Sequence, residues 1–213
     1  MEVIKMITAM TMESIQMACQ QRYESNEKRI VAIVIARYDI FNCRQMIQEN
    51  YTFWHYWTGK ALDFFWLGYG SYNFHLQRCQ HFVGNYENEP NVYFDTEVFC
   101  TEIKNLLKIL NVELNDPIGI LLCNYREGLL HLNESAYINI GSLMLEQNQY
   151  KLRDFTALLI KACKKKHNVT DVIWKLRLKK ASYGLLDMKL SNFVSDGIRV
   201  LLRYFFGFMI EKL

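Results

Sequence analysis

Proline and glycine are scarce in this sequence, and paired cysteines are absent. Only 2 prolines and 10 glycines occur among 213 residues, which favours long regular elements over a loop-rich sandwich. None of the 6 cysteines forms a C-x-x-C pair, so neither a zinc ribbon nor a redox dithiol is indicated. The N-terminus lacks a basic leader and a long apolar run, so no secretory signal is predicted. Scattered cysteines without a leader favour reduced thiols and a cytoplasmic location.

The common catalytic motifs are missing as well. The sequence contains no glycine-rich phosphate loop, no G-x-S-x-G elbow and no H-E-x-x-H pair, each of which would place reactive groups at a known spacing. No nucleophile stands beside a base in a convincing arrangement. The sequence therefore favours a protein that is not an enzyme, and it predicts no cofactor.

What is present is enough apolar material for a core, and a strong charge asymmetry. Apolar residues make up 51% of the chain and aromatic residues 14%. Residues 151–213 carry 14 Lys and Arg against 5 Asp and Glu, whereas residues 1–150 carry 11 against 17. The chain is thus an acidic body followed by a basic third, a pattern that suggests a docking surface.

Hydrophobic periodicity predicts an alternation of helices and strands. The segment RIVAIVIA, 29–36, is a continuous β-branched run, which is typical of a strand buried on both faces of its sheet. Asp95 or Thr96 is a plausible N-cap for an amphipathic helix. The other predictions are helices over 2–22, 40–60, 96–110 and 142–166, a strand over 62–69, a loop insertion over 70–95, and a hairpin over 118–132.

The segment DPIGILLCNYREGLLHL, 116–132, places Pro117 at the mouth of a strand, and Gly141 precedes the next predicted helix. With the strand IVAIVIA before a helix, this order resembles the thioredoxin-like superfamily over roughly residues 1–166. The resemblance implies an α/β fold with a mixed four-stranded sheet flanked by helices. It also implies a cis bond before Pro117, against the redox site. An α/β domain with an ordinary trans proline at a strand start is the alternative.

Catalysis in that superfamily uses two cysteines three positions apart, where a helix begins after the first strand. Here the corresponding region, ARYDIFNCRQMI at 36–47, contains Cys43 alone. A dithiol cycle is therefore not expected. A monothiol role for Cys43 stays open because Arg44 could lower the pKa of its thiol, although free cysteine is more often simply buried.

Two further clusters have ordinary explanations. His75, Cys79 and His81 form H-x-x-x-C-x-H. A zinc site needs a fourth ligand or a water, and His55 or Glu87 could complete the set, but no spacing demands it, so the three are weak metal candidates in a polar loop. The aromatic run from Tyr51 to Phe74 could stack a ligand, yet core packing is its expected role.

The basic third is the strongest functional lead. Its cations interleave with Trp174, and such a surface could hold an acidic protein, another copy of the chain, or nucleic-acid phosphates. A solvated helix face is the plain alternative. The candidate binding residues are Lys161, Lys164, Lys165, Lys166, Trp174, Lys175, Arg177, Lys179 and Lys180.

Residues 167–213 are predicted to form a mainly helical extension that packs on the domain or on a partner. The segment 192–213 is strongly apolar but interrupted by Arg199 and Arg203, and its apolar length is too short for a membrane span. Three hypotheses follow. The first is a non-catalytic scaffold or adaptor subunit that binds a protein or itself. The second is a monothiol redox enzyme using Cys43, and the third is a nucleic-acid-binding accessory protein using the patch from Lys161 to Lys180.

Overall fold

The computed structural model describes residues 10–56, 62–71, 79–86, 89–110, 118–141, 149–164, 168–178 and 188–190. The helices in those residues are α1 (Met12–Arg22), α2 (Phe41–Tyr56), α3 (Thr96–Leu110), α4 (Gln149–Cys163) and α5 (Val169–Leu178). The strands are β1 (Arg29–Ile35), β2 (Asp63–Trp66), β3 (Tyr69–Ser71), β4 (Gln80–Tyr86), β5 (Glu89–Asp95), β6 (Gly119–Arg126), β7 (Leu129–Asn139) and β8 (Met188–Leu190).

The main sheet is mixed and has the order β2-β1-β6-β7-β8. Strands β1 and β2 run parallel, and the other neighbours are antiparallel. The prediction of an α/β fold with a mixed sheet is thus confirmed. The strands predicted for it lie side by side, and β8 adds a fifth beside β7.

Helices cover both faces of this sheet. Successive side chains of a strand point to opposite faces, and β2 uses both: Asp63 bonds to Arg22 of α1, whereas Phe64 stacks on Trp54 of α2. On the second face, the Trp54 Nε1–H donates to Thr156 Oγ1 of α4 at 3.1 Å. Strand β1 in the middle is buried from Ile30 to Ile35, as its uninterrupted apolar run predicts.

Several helix boundaries follow from local capping. Helix α3 spans the predicted 96–110, and Asp95 Oδ1 accepts hydrogen bonds from the N–H groups of Glu97 and Val98, both at 3.0 Å. The helix predicted over 2–22 begins instead at Met12 in the described residues. Thr11 is extended there and caps it by accepting from the Ser14 N–H at 3.1 Å, which satisfies an otherwise unpaired donor.

The strand predicted over 62–69 is divided by a turn. Gly68 has φ +80°, and a Cβ there would lie 2.9 Å from Phe99 Cβ, so the chain reverses at a position suited to glycine. Residues 63–66 remain in the main sheet as β2. Residues 69–71 become β3 and join a second sheet with the order β3-β5-β4.

In its described residues, 79–86 and 89–95, the predicted loop insertion over 70–95 forms strands instead. Strands β4 and β5 form an antiparallel hairpin with register shifts near Gly84. These irregularities disturb the alternation of polar and apolar residues on which sequence patterns depend. The hairpin of β6 and β7 matches the prediction at its turn, where Glu127 and Gly128 have φ of 54° and 75°.

Part of the prediction falls outside the described residues. Pro117, with its expected cis bond, is one such position, and most of the extension after residue 178 is another. Within the described residues, α5 packs on the domain: the Val169 N–H donates to Asn124 Oδ1 of β6 at 2.9 Å.

Candidate functional site

The first candidate is the start of α2, where the thioredoxin-like resemblance would place redox chemistry. Cys43 is fully buried, and its N–H donates to the carbonyl of Ile40 at 3.0 Å. Burial raises the pKa of the Cys43 thiol to about 11, and the nearby Asp39 carboxylate adds to the rise. A reactive cysteine needs the opposite environment, exposed and electropositive.

Arg44, the residue that could lower the pKa of this thiol, is engaged with Tyr38. Its Nε–H donates to the Tyr38 carbonyl at 3.1 Å, and its guanidinium carbon lies 5.8 Å from the centre of the Tyr38 ring. No lowering of the Cys43 pKa results. The thiol is thus protonated at neutral pH, which weighs against the monothiol hypothesis.

The metal candidates gain no support from the geometry. His75 lies outside the described residues, and Cys79 and His81 stand at the start of β4. The His81 ring centre lies 6.3 Å from that of Phe94. The described residues contain no group of three His, Cys, Asp or Glu side chains that could hold a metal ion.

The basic third is partly described and forms a surface on α4 and α5. Lys161 and Lys164 are exposed at the end of α4. The Lys175 Nζ of α5 donates to the Lys161 carbonyl at 3.2 Å, so this cation also links the two helices. The side chain of Arg177 and the residues Lys165, Lys166, Lys179 and Lys180 lie outside the described part.

Trp174 is the exposed aromatic of this surface. It is 41% exposed, although Val172, Ile173 and Leu176 of the same helix are buried. Asn168 caps the start of this helix, where its Oδ1 accepts from the Asp171 N–H at 2.8 Å. We call Lys161, Lys164, Trp174 and Lys175 the α4–α5 surface. The structure brings together these members of the predicted binding set on two packed helices.

A second candidate was missed by sequence reasoning: a cavity of about 490 Å³ along the outer edge of β2. Strand β2 is the last strand of the main sheet on that side. Its lining comes from α1, α2, β2 and β3: Met10, Ala18, Gln21, Arg22, Tyr51, Asp63, Phe64, Phe65, Trp66, Tyr69, Gly70 and Ser71.

Aromatic rings form much of the cavity wall. The Trp66 ring centre lies 5.0 Å from that of Tyr51 and 5.2 Å from that of Tyr69. All three residues are at most 6% exposed. Packing of these rings agrees with the expected core role of the aromatic run. The cavity could not be anticipated because its walls come from segments far apart in the sequence.

A charged cluster lies on the α1 side of β2. The Arg22 Nη1 donates to Asp63 Oδ1 at 2.6 Å, and the Tyr23 hydroxyl donates to Asp63 Oδ2. Burial raises the pKa of Tyr23 far above its ordinary value, and the hydrogen bond to the Asp63 carboxylate raises it further. Tyr23 therefore remains a neutral donor at physiological pH.

Within the described part of the chain, no helix combines the length and apolar character that crossing a bilayer requires. Comparisons of the chain with protein-family models, with curated proteins and with solved structures gave no match.

Proposed function

We propose that this chain is a non-catalytic, thioredoxin-like scaffold or adaptor subunit that binds an acidic protein partner through its basic third. The observation that carries the proposal is Trp174, which is 41% exposed on α5 next to Lys175 in the chain, while Lys175 itself bonds to the Lys161 carbonyl of α4. Tryptophan is among the residues most enriched at binding hot spots. Surrounding cations favour a partner of opposite charge and speed its association.

Two observations support the thioredoxin-like, non-catalytic part of the proposal. The order β2-β1-β6-β7, with the first pair parallel and the others antiparallel, agrees with the element order on which the resemblance rests. The one cysteine at the start of α2, Cys43, has a buried thiol with a raised pKa. A scaffold requires the thioredoxin-like sheet but does not require a reactive thiolate.

The test compares partner recovery by surface variants of the full chain. Trp174→Ala, and separately the pair Lys161→Glu and Lys164→Glu, are used to co-purify bound protein from the native host. The matched control is the pair Lys104→Glu and Lys108→Glu, two exposed lysines of α3. Removing a hot-spot tryptophan costs about 2 kcal/mol or more, so we expect affinity for the recovered partner to fall roughly thirtyfold, with the control unchanged.

Two outcomes would overturn the proposal. Equal recovery by all variants would show that the α4–α5 surface is not the docking face. Recovery that depends on nucleic acid, disappears after nuclease treatment and falls steeply with salt would favour the nucleic-acid-binding alternative. A size-exclusion profile that shifts with Trp174→Ala would instead identify a second copy of the chain as the partner.

A further inference from the structure

Strand β3 is the end strand of the second sheet, and one of its sides is not covered by any described strand. The order of that sheet is β3-β5-β4, so β5 pairs with one side of β3 and leaves the other side as an edge. The N–H and C=O groups along such an edge form a template on which another extended segment can add. The edge shares no residue with the α4–α5 surface, so its occupant does not depend on the proposed function.

Met10 already pairs with the start of this edge. The Met10 N–H donates to the Tyr69 carbonyl, and the Gly68 N–H donates to the Met10 carbonyl, both at 2.9 Å. Gly68 has φ +80°. A left-handed glycine and its successor that face a single residue of an antiparallel partner form a G1 β-bulge. Met10 is therefore bonded in the manner of an antiparallel strand.

The direction of this pairing determines where the preceding residues would run. In an antiparallel pair, the partner position advances by one residue for each step back along the other strand. Residues 1–9 lie outside the described residues. If the pairing at Met10 continues without a break, Ala9 stands opposite Gly70, and Thr8 stands opposite Ser71.

The backbone groups of β3 are oriented to receive such a strand. The Tyr69 carbonyl points to the edge, because it accepts from the Met10 N–H. Backbone groups of successive residues in a strand point to opposite sides, so those of Ser71 point to the edge and those of Gly70 point to β5. A residue opposite Ser71 would therefore exchange both of its backbone hydrogen bonds with it.

The space beside this edge is open, and the sequence suits a strand. Met10, Gly70 and Ser71 are among the residues that line the cavity of about 490 Å³. The segment VIKMITA, 3–9, contains four β-branched residues and neither proline nor glycine, a composition that favours strands. The extended Thr11, which caps α1, separates this segment from the helix.

We propose that residues 8–10 form a further strand of the second sheet, antiparallel to β3, so that the chain's own segment before Met10 occupies the edge. Thr8 exchanges backbone hydrogen bonds with Ser71, and Ala9 lies opposite Gly70. This strand closes the edge of β3 to strands of other proteins and of further copies, which is a common protection of sheet edges.

The test uses NMR on the full chain. The Cα atoms of an antiparallel pair without mutual hydrogen bonds are about 4.5 Å apart, so Ala9 and Gly70 should give an Hα–Hα NOE. A sample that mixes ¹³C-labelled with unlabelled chains distinguishes a contact within one chain from a contact between two copies. Thr8→Pro removes the N–H that would donate to Ser71. Ala9→Pro is the matched control, because it removes an N–H that would point away from β3, where an edge strand tolerates proline.

We expect the NOE between residues 9 and 70 within one chain, both in the unmodified protein and in Ala9→Pro, and its loss in Thr8→Pro. The Ser71 amide should exchange with solvent about fivefold faster or more in Thr8→Pro, the equivalent of one lost hydrogen bond, and at an unchanged rate in Ala9→Pro. The NOE of the unmodified protein decides the matter if a variant does not fold. The proposal is overturned if that NOE is absent, if it arises only between two copies, or if both proline variants change the exchange of Ser71 equally.

Discussion

The inner side of α2 and the outer edge of β2 contribute to one stack of aromatic rings, but the indole N–H groups of their tryptophans differ in hydrogen bonding. Trp54 of α2 and Trp66 of β2 lie 5.2 Å apart, ring centre to ring centre. Trp54 donates to Thr156 of α4, whereas Trp66 has a buried N–H without an acceptor in the described residues. Cys43, also on the inner side of α2, is fully buried.

The difference follows from position in the sheet. Helix α2 is covered by the sheet below and by α4 beside it, so the Trp54 indole finds an acceptor in Thr156 and the Cys43 thiol is shielded. Strand β2 is the last strand on its side of the main sheet, and the cavity opens there. Dense packing buries the Cys43 thiol and raises its pKa at the position where the thioredoxin-like resemblance would place a reactive cysteine. Space and an unsatisfied donor remain at the sheet edge.

The largest effect should come from emptying the packed side. Trp54→Ala removes a fully buried side chain that stacks on Phe64 and Trp66. Truncating a buried tryptophan typically costs about 3–5 kcal/mol, and we expect the free energy of unfolding in denaturant to fall by that amount. Tyr150→Ala, at a position that is 86% exposed, is the control and should change it by about 0.5 kcal/mol or less. Similar losses for the two would mean that the α2 side is not packed as described.

The second prediction concerns the thiol on the same side. The pKa of Cys43 is raised from 9.0 to about 11, so its thiolate is roughly a hundredfold rarer than that of an ordinary thiol at neutral pH. Iodoacetamide should therefore modify the native protein first at the partly exposed Cys79 and Cys100, and Cys43 only after unfolding. Mass spectrometry of the modified peptides measures this.

The raised pKa of Cys43 also determines how its modification by iodoacetamide depends on pH. Because the folded-state pKa is the higher one, thiolate at Cys43 should increase about tenfold per pH unit until the pH approaches 11. Fast modification of native Cys43 at neutral pH would revive the monothiol hypothesis. In that case, reduction of insulin disulfides should be detectable and should be lost in Cys43→Ser.

The sequence predicts the regular parts of the fold where one residue pattern decides the structure. Strand β1 follows from an uninterrupted apolar run, and α3 follows from its periodicity with Asp95 as its cap. The turn at Gly68, which divides β2 from β3, could not be predicted, because the sequence does not show that this glycine has a positive φ. The β4–β5 hairpin was missed because its register shifts disturb the expected alternation.

The two candidate sites also differ in how far the sequence predicts them. Trp174 and Lys175 are adjacent on α5, and Lys161 lies only 14 positions before Lys175 at the end of the preceding helix, so a short connection suffices to bring the Lys175 Nζ to the Lys161 carbonyl. The cavity needs Arg22, Tyr51 and Trp66 to meet, which depends on how two helices approach one strand from opposite faces. No local pattern encodes that approach, so the sequence indicates aromatic packing there without indicating the space beside it.

A smaller effect is expected from the charged cluster next to the cavity. Asp63→Ala leaves the Tyr23 hydroxyl and the Arg22 guanidinium without their shared acceptor, and an unpaired, partly buried donor costs about 1–3 kcal/mol. Arg22→Ala removes only the more exposed partner, whose side chain is 56% accessible, and should cost less than about 1 kcal/mol. Denaturant unfolding of both variants, at low and high salt, separates the contribution of the Tyr23–Asp63 hydrogen bond from that of the Arg22–Asp63 ion pair. Equal costs would mean that Tyr23 does not depend on Asp63.

The smallest effect distinguishes the two tryptophans most directly. Trp54→Phe and Trp66→Phe remove similar ring area from one aromatic stack, so their difference in unfolding free energy reports mainly the fate of the indole N–H. Trp54→Phe forfeits the hydrogen bond to Thr156 at 3.1 Å, worth about 1 kcal/mol. Trp66→Phe removes a buried donor that has no acceptor among the described residues, and this gain offsets the lost ring area. We therefore expect Trp66→Phe to be the milder change by about 1 kcal/mol in denaturant unfolding. A milder Trp54→Phe would place the unsatisfied donor on the α2 side and reverse the contrast between packed helix and open sheet edge.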